Sequence, residues 1–441
     1  MSTGLTQGQK ITHLLSRTSF GATPEEADRV MRAGSSAYLE EQLQPERIAD
    51  RLVEERLKEL KTVRLSSKEL FELYPPPNQA KKQGITISSR MQGPRYVIFE
   101  LQQARLLRAV YSQRQLYEIM VDFWSNHFNV FAAKGADRWL VTSYDRDTIR
   151  PHAFGKFKDL LLATAQSPAM LFYLDNWLSV SPELAIRSRS ASGNPSIRRG
   201  INENYARELM ELHTLGVDGG YTQKDVEEVA RCFTGWTIRR PRGEAEFQFN
   251  SRLHDRGEKV VLGTKISAGE GIEDGMQVID LLARHPATAR FIATKLARRF
   301  VADDPPASLI KQTADAFQRS DGDIRSVLRA IVSAPEFYST DAYRAKVKKP
   351  LEFVASALRA VDAETDGGPP VLRYLARMGE PLFLSQPPTG YPDVGSSWIS
   401  PDTLLTRINF ALDLTANRIR GTQARRNVDP LVLAGPEFHR R

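Results

Sequence analysis

The sequence predicts a mainly α, multi-helical globular fold with a small β-hairpin insertion around residues 246–263. Apolar residues recur at helical spacing through most of the 441 residues. Helix start signals recur, and alternation with a period of two is confined to one short stretch.

Thr23-Pro24-Glu25-Glu26 places an N-cap, an N1 proline and a capping-box glutamate in order, opening a helix toward Ala33. Helical patterns come next over Ser36–Gln44, Ile48–Leu60, Ile98–Phe123, Asn202–Leu215 and Gln223–Cys232. They continue over Met276–Ala283, Pro286–Phe300, Leu309–Arg319, Ile324–Ser333 and Pro350–Ala360. Glu246-Phe247-Gln248-Phe249 alternates, and Lys259-Val260-Val261-Leu262-Gly263 is β-rich, which gives the hairpin. Breakers mark Tyr74-Pro75-Pro76-Pro77, Ser188–Arg199 and Asp366-Gly367-Gly368-Pro369-Pro370. The expected organisation is one helical domain over 1–441 with loop insertions at about 74–95, 187–200 and 363–370.

Composition sets limits. The chain is 41% hydrophobic and 26% charged, with a mean hydropathy of -0.39. No apolar run reaches the roughly 18 residues of a membrane span. The first residues lack a basic stretch followed by an apolar one, so the chain as it stands reads as cytoplasmic, and as exported if a leader precedes it. The single cysteine, Cys232, excludes an internal disulfide and a cysteine-based zinc site. It reads as a buried, inert thiol.

The net charge of +8 gathers at Arg187–Arg199, Arg239–Arg242, Arg298–Arg299 and Arg418–Arg426. Such clusters can attract an acidic or carbohydrate polymer or simply face water. No zinc finger, RNA-recognition signature or basic zipper accompanies them, so nucleic acid is the weakest reading. Walker A, G-x-G-x-x-G, G-x-S-x-G, H-E-x-x-H and kinase signatures are absent too.

Candidate chemistry lies in a few motifs. His127, in Phe123-Trp124-Ser125-Asn126-His127-Phe128, sits on an apolar helix face. It reads as a hydrogen-bonded core residue or, if desolvated and neutral, as a base or metal ligand. In Asn202–Gly216, Glu208 and Glu211 share a face flanked by Arg207, whereas His213 points elsewhere. The plain alternative is a solvated, salt-bridged face. His254-Asp255 stands between the β-like stretches and reads as an active-site loop or a polar hairpin tip. Trp236, Tyr391 and Trp398 could line a cleft.

Three functions remain open. In the first, the chain is a hydrolase acting on a polymeric or anionic substrate. Glu208, Glu211, His254 and Asp255 are then catalytic. Arg207, Trp236, Tyr391 and Trp398 bind substrate, while His127 and His213 hold a divalent metal. Without metal, paired carboxylates can hydrolyse glycosides. In the second, a binding or assembly protein presents a basic face and the His/Glu motifs are buried networks. The third is nucleic-acid binding.

The sequence also resembles a known family. His13-Leu14-Leu15-Ser16-Arg17-Thr18-Ser19-Phe20-Gly21, the Trp124–Phe128 motif, Asn202–Gly216, Phe233-Thr234-Gly235-Trp236, His254-Asp255, His285–Phe291, Lys349-Pro350-Leu351-Glu352-Phe353 and the Pro/aromatic loop to Trp398 carry the likeness. Together they are similar to the bacterial family of domain of unknown function 1800. The resemblance spans essentially the whole chain and implies no reaction. It implies an exported protein, from which the absent leader departs, and a Gly-Trp pair in place of Tyr391.

Overall fold

Five helices begin with reciprocal capping boxes at Thr6, Thr23, Ser66, Thr222 and Ser400, so side-chain oxygens satisfy donors that a helix start leaves orphaned. A computed structural model describes residues 4–82, 84, 93–185 and 200–441. The loop expected at 187–200 lies outside the described residues save Gly200, and the one at 74–95 lies partly outside them. The fold is mainly α: helices make up 60% of it, with only two-stranded sheets besides.

The helices that position the site are α1 (Gln7–Thr18), α2 (Pro24–Ala33), α3 (Pro94–Tyr111) and α4 (Gln115–His127). They are joined by α5 (Glu203–Glu208), α6 (Gln223–Cys232), α7 (Pro286–Phe300), α8 (Pro350–Ala360) and α9 (Pro401–Thr415). Both β-like segments form strands, each pairing with its own neighbour. β1 (Trp236–Arg239) pairs antiparallel with β2 (Glu246–Phe249), and β3 (Lys259–Val261) with β4 (Thr264–Ile266). The 363–370 region holds a two-residue strand, Glu364–Thr365, paired with Thr422 and Gln423.

Two expected helices are cut. The pattern over 98–123 divides between α3 and α4 because the buried Asp50 carboxylate accepts hydrogen bonds from Ser112 Oγ and the Gln113 amide, both 2.7 Å. Those bonds compete with the backbone ladder and end α3. After α5 the chain widens into a π turn over Leu209–Thr214, where the Leu215 amide reaches the Met210 carbonyl at 2.8 Å. A π turn rotates the succeeding residues off the α register, so helical spacing misplaces His213.

One large apolar core runs through these elements, with two small satellites. Trp124 and Trp236 are completely buried in it. Side chains of this size contribute about 3 kcal/mol each by leaving water. At Gly21, φ is +111° and a Cβ would stand 2.5 Å from Ser356 Cβ, so only glycine lets the end of the α1 block lie against α8.

Candidate functional site

The polar centre of the protein is built around the start of α8. Lys348-Lys349-Pro350-Leu351-Glu352 places proline at N1 and glutamate at N3, and the Lys349 amide donates to Glu352 Oε2 at 2.9 Å. Three charged side chains therefore leave one helix start in different directions.

Glu352 meets arginines. Arg299 Nη2 lies 2.7 Å from Oε1 and Arg441 Nε lies 3.1 Å from Oε2. Burial works against its ionisation, but Arg299 and Arg441 hold the carboxyl down to about 2. Arg17, fully buried behind them, donates to the Ala342 carbonyl at 2.5 Å. Its Nε and Nη1, and Nη1 of Arg299 and of Arg441, have no hydrogen-bond partner among the described residues.

Lys348 turns the other way, into a cavity of about 590 Å³ between α1, α8 and residues 431–441. His13, Glu352, Ser356 and Arg441 line it from below, and Arg344, Glu437 and Arg440 are exposed at its edge. Positive charge is in excess here, because Lys346 is already committed to Asp303. The crowding shows in the acidities: burial first and then neighbouring arginines bring Arg441 down to about 9 and Lys348 down to about 7.

Lys349 turns to Asp393, 3.4 Å away, which Lys295 also approaches at 3.4 Å. Burial opposes ionisation of Asp393, yet the two lysines hold it far below the usual carboxylate range. Next to Lys349 lies a cavity of only about 40 Å³ lined by Arg105, Asp122, Ser125, Glu380 and Tyr391 among others. Glu380 accepts from the Leu351 amide at 2.7 Å. Burial, reinforced by the charge of Asp122, raises it to about 8, so it is a neutral acid at pH 7. Arg105 pairs with Asp122 at 3.3 Å and Asp145 at 2.6 Å, and Arg150 grips Glu118 through two bonds of 2.9 and 3.0 Å.

The residues expected from sequence fall in several places. His127 Nε2 donates to the His213 carbonyl at 3.1 Å, and the two rings stand 6.2 Å apart. Burial keeps both neutral, His213 down to about 3. His127 also edges a hollow of about 260 Å³ with Lys295, Tyr391 and Asp393. Glu208 is raised by burial and by Glu211, while Glu211 accepts from Tyr221 at 3.3 Å. Arg207 bonds Gln223 at 2.8 Å on the surface.

His254 is buried, its Nδ1 donating to the Thr234 carbonyl at 2.8 Å and its Nε2 lying 3.0 Å from Asp274, which Lys259 also pairs. Asp255 is held by Arg231 through bonds of 2.9 and 3.1 Å. Trp236 is sealed over Gly275. Trp398 donates to the Pro392 carbonyl at 3.1 Å and its ring lies 6.0 Å from Tyr391.

Thus His127 joins His213, and Tyr391 joins Trp398, but the four expected catalytic residues line none of these cavities. Among the described residues, no three His, Cys, Asp or Glu side chains converge as a metal cluster would require. The His254-Asp255 pair, expected as an active-site loop or a polar hairpin tip, is bound into a network: Asp255 pairs with Arg231 of α6, and His254 and Lys259 of β3 both meet Asp274.

A model of the family described as protein of unknown function (DUF1800) matches residues 13–437. The chain belongs to this family. No curated protein and no solved structure matches it. In this DUF1800 protein, two of the blocks that carried the resemblance, His13–Gly21 and Lys349–Phe353, lie at the 590 Å³ cavity. Sequence reading passed over them as site residues, although a signal was present. Glu352 is a charged residue inside the otherwise mostly apolar run Pro350–Leu358, an arrangement that demands buried pairing.

The loop carrying Tyr391 is fixed by α4. Asn126 Nδ2 donates to the Tyr391 carbonyl at 2.9 Å and its Oδ1 accepts from the Tyr391 amide at 2.7 Å. At Gly390, φ is +71° and a Cβ would meet the Asn126 carbonyl oxygen at 2.4 Å. Gly390→Ala should therefore cost about 1–3 kcal/mol in a urea titration and release this loop. An unchanged midpoint would mean that the loop is not held by this approach.

Proposed function

We propose that the protein binds a small anionic molecule, or the anionic end of a polymer, in the cavity between α1, α8 and residues 431–441. The observation that carries this reading is a ligand-sized space of about 590 Å³ with Lys348, Arg344, Arg440 and Arg441 around it and unsatisfied arginine donors behind it. An oxyanion entering there meets charge already desolvated by folding, where attraction is stronger than at an exposed patch.

The hydrolase reading has a narrower support. Burial and the nearby charge of Asp122 raise Glu380 and favour its neutral form, and a buried carboxyl kept protonated can act as a general acid. The 40 Å³ space lined by these two residues admits one or two waters but no sugar ring.

Inorganic phosphate is the first probe. Phosphate should raise the melting temperature above that seen in sodium chloride of equal ionic strength. The gain should fall by about threefold or more in the double variant Arg344→Ala with Arg440→Ala, both exposed positions. No gain, or the same gain in the variant, would remove the reading.

A further inference from the structure

We infer that Lys348 is a nucleophilic amine that condenses with the carbonyl group of an anionic aldehyde or ketone, such as a 2-oxo acid, held in the 590 Å³ cavity. This rests on the anion-binding reading and adds the chemistry of that site.

Lys348 differs from the other buried lysines by its company. Lys259 and Lys346 are buried as well, but each forms an ion pair, with Asp274 and Asp303 respectively. Lys348 lies within ion-pair distance of no carboxylate among the described residues. Its Nζ donates instead to Ser356 Oγ at 3.0 Å and stands 3.8 Å from the centre of the Phe438 ring. The backbone on both sides is fixed. The Lys348 amide donates to the His439 carbonyl at 2.8 Å, and its own carbonyl accepts from Arg407 Nη2 at 2.8 Å. The amine is therefore held facing the cavity rather than free to swing into water.

The groups facing it settle its protonation. Burial disfavours the ammonium, and Arg441, Arg407 and Arg344 oppose it further. Glu352 and the Phe438 ring face favour it. The balance lies at about 7, far below an ordinary lysine, which favours the free amine at neutral pH over what a surface lysine offers. Burial beside other cations is the standard route to a nucleophilic lysine.

The step balances without an oxidant or reductant. The Nζ lone pair attacks the carbonyl carbon, a C–N bond forms, and the carbonyl π pair becomes an alkoxide; one proton then passes from the cationic nitrogen to that oxygen, which gives a neutral carbinolamine. The C–O bond then breaks, the hydroxyl leaves as water with a proton from the medium, and the nitrogen lone pair closes a protonated imine. Ser356, hydrogen-bonded both to Nζ and to the Phe353 carbonyl at 3.0 Å, is placed to relay the protons. The substrate's carboxylate or phosphate would face Arg344, Arg440 and Arg441, which explains why the carbonyl compound should be anionic.

The test is reductive trapping of the full chain with pyruvate and cyanoborohydride at pH 7, read by peptide mass mapping. The peptide carrying Lys348 should gain one reduced pyruvate adduct about tenfold faster than any other lysine peptide. Its labelling rate should rise with pH around a midpoint near 7, where surface lysines rise near 10. Inorganic phosphate should slow it, and Lys348→Arg should abolish it while leaving labelling elsewhere unchanged. If that variant does not fold, the wild-type map and pH profile decide. Equal labelling of all lysines, or an unlabelled Lys348 in a protein that phosphate still stabilises, would overturn the inference alone. Fast labelling of Lys348 that phosphate neither slows nor accompanies with stabilisation would overturn the anion reading instead.

Discussion

Between pH 6 and pH 5 the folded state should lose about 2–4 kcal/mol of stability, which a urea titration at each pH would measure. Four buried histidines cause this. Burial brings His13 and His213 down to about 3, His439 down to about 4 and His127 well below its ordinary value. In the unfolded chain a histidine takes its proton near 6.5. A depressed group stabilises the fold above the unfolded value and loses that contribution as pH falls toward the folded one. Each histidine contributes about 1.2 kcal/mol over this pH unit, because the unfolded ring is not yet fully protonated at pH 6, and the four together come close to 5. Glu380 and Asp137 act in the opposite sense. Burial raises both, so each favours the folded state as pH falls through this window, and together they offset up to roughly two protons. His13→Gln should flatten the acid limb by about one histidine's share. A stability curve level from pH 6 to 5 would show that these rings are not buried as neutral bases.

Glu352→Gln should cost about 3–5 kcal/mol. The loss comes less from the two ion pairs than from the groups that stay behind, namely Arg17, Arg299 and Arg441, three buried cations without their one close carboxylate. The same change at Glu437, exposed at the cavity edge, should stay within about 0.5 kcal/mol. Equal effects at the two positions would mean that water reaches the cluster and screens it. Glu352→Gln should also raise the acidity of Lys348, since it removes the one carboxylate that favours its ammonium.

Much of the fold could be read from the sequence because it is local. The Thr23 capping box and the proline starts of α7 and α8 come from side chains within one helical turn. The features that escaped are non-local. Asp50 ends α3 across 62 residues, and no window around Ser112 contains that information. The π turn after Glu208 and the neighbour it gives His213, the His127 ring, are not written in the spacing of Asn202–Gly216 either.

The candidate site shows the same division. His127, Tyr391 and Trp398 stand out for their chemistry and do gather near one loop. Lys348 and Arg441 do not, because each is unremarkable alone and acquires meaning from partners far along the chain. For His254-Asp255 the motif is local but its partners are not: Arg231 and Asp274, which bond the pair, lie outside it in the sequence.

The cavity is closed by contacts that join opposite ends of the sequence. Arg17 reaches Ala342 across 325 residues, Arg359 reaches the Gly21 carbonyl across 338, and Lys346 and Arg441 exchange backbone hydrogen bonds. On a translating ribosome, α1 emerges early, yet its partners are made only after tens of seconds, at roughly 5–20 residues per second. Through that interval Ile11, Leu14 and Leu15, which end fully buried or nearly so, can pack only against early elements such as α2 and α4, and the side of α1 that faces the late segments stays uncovered. The nascent chain thus offers chaperones a defined window, and a polypeptide clipped before residue 430 lacks a wall of the cavity however well its earlier helices have formed.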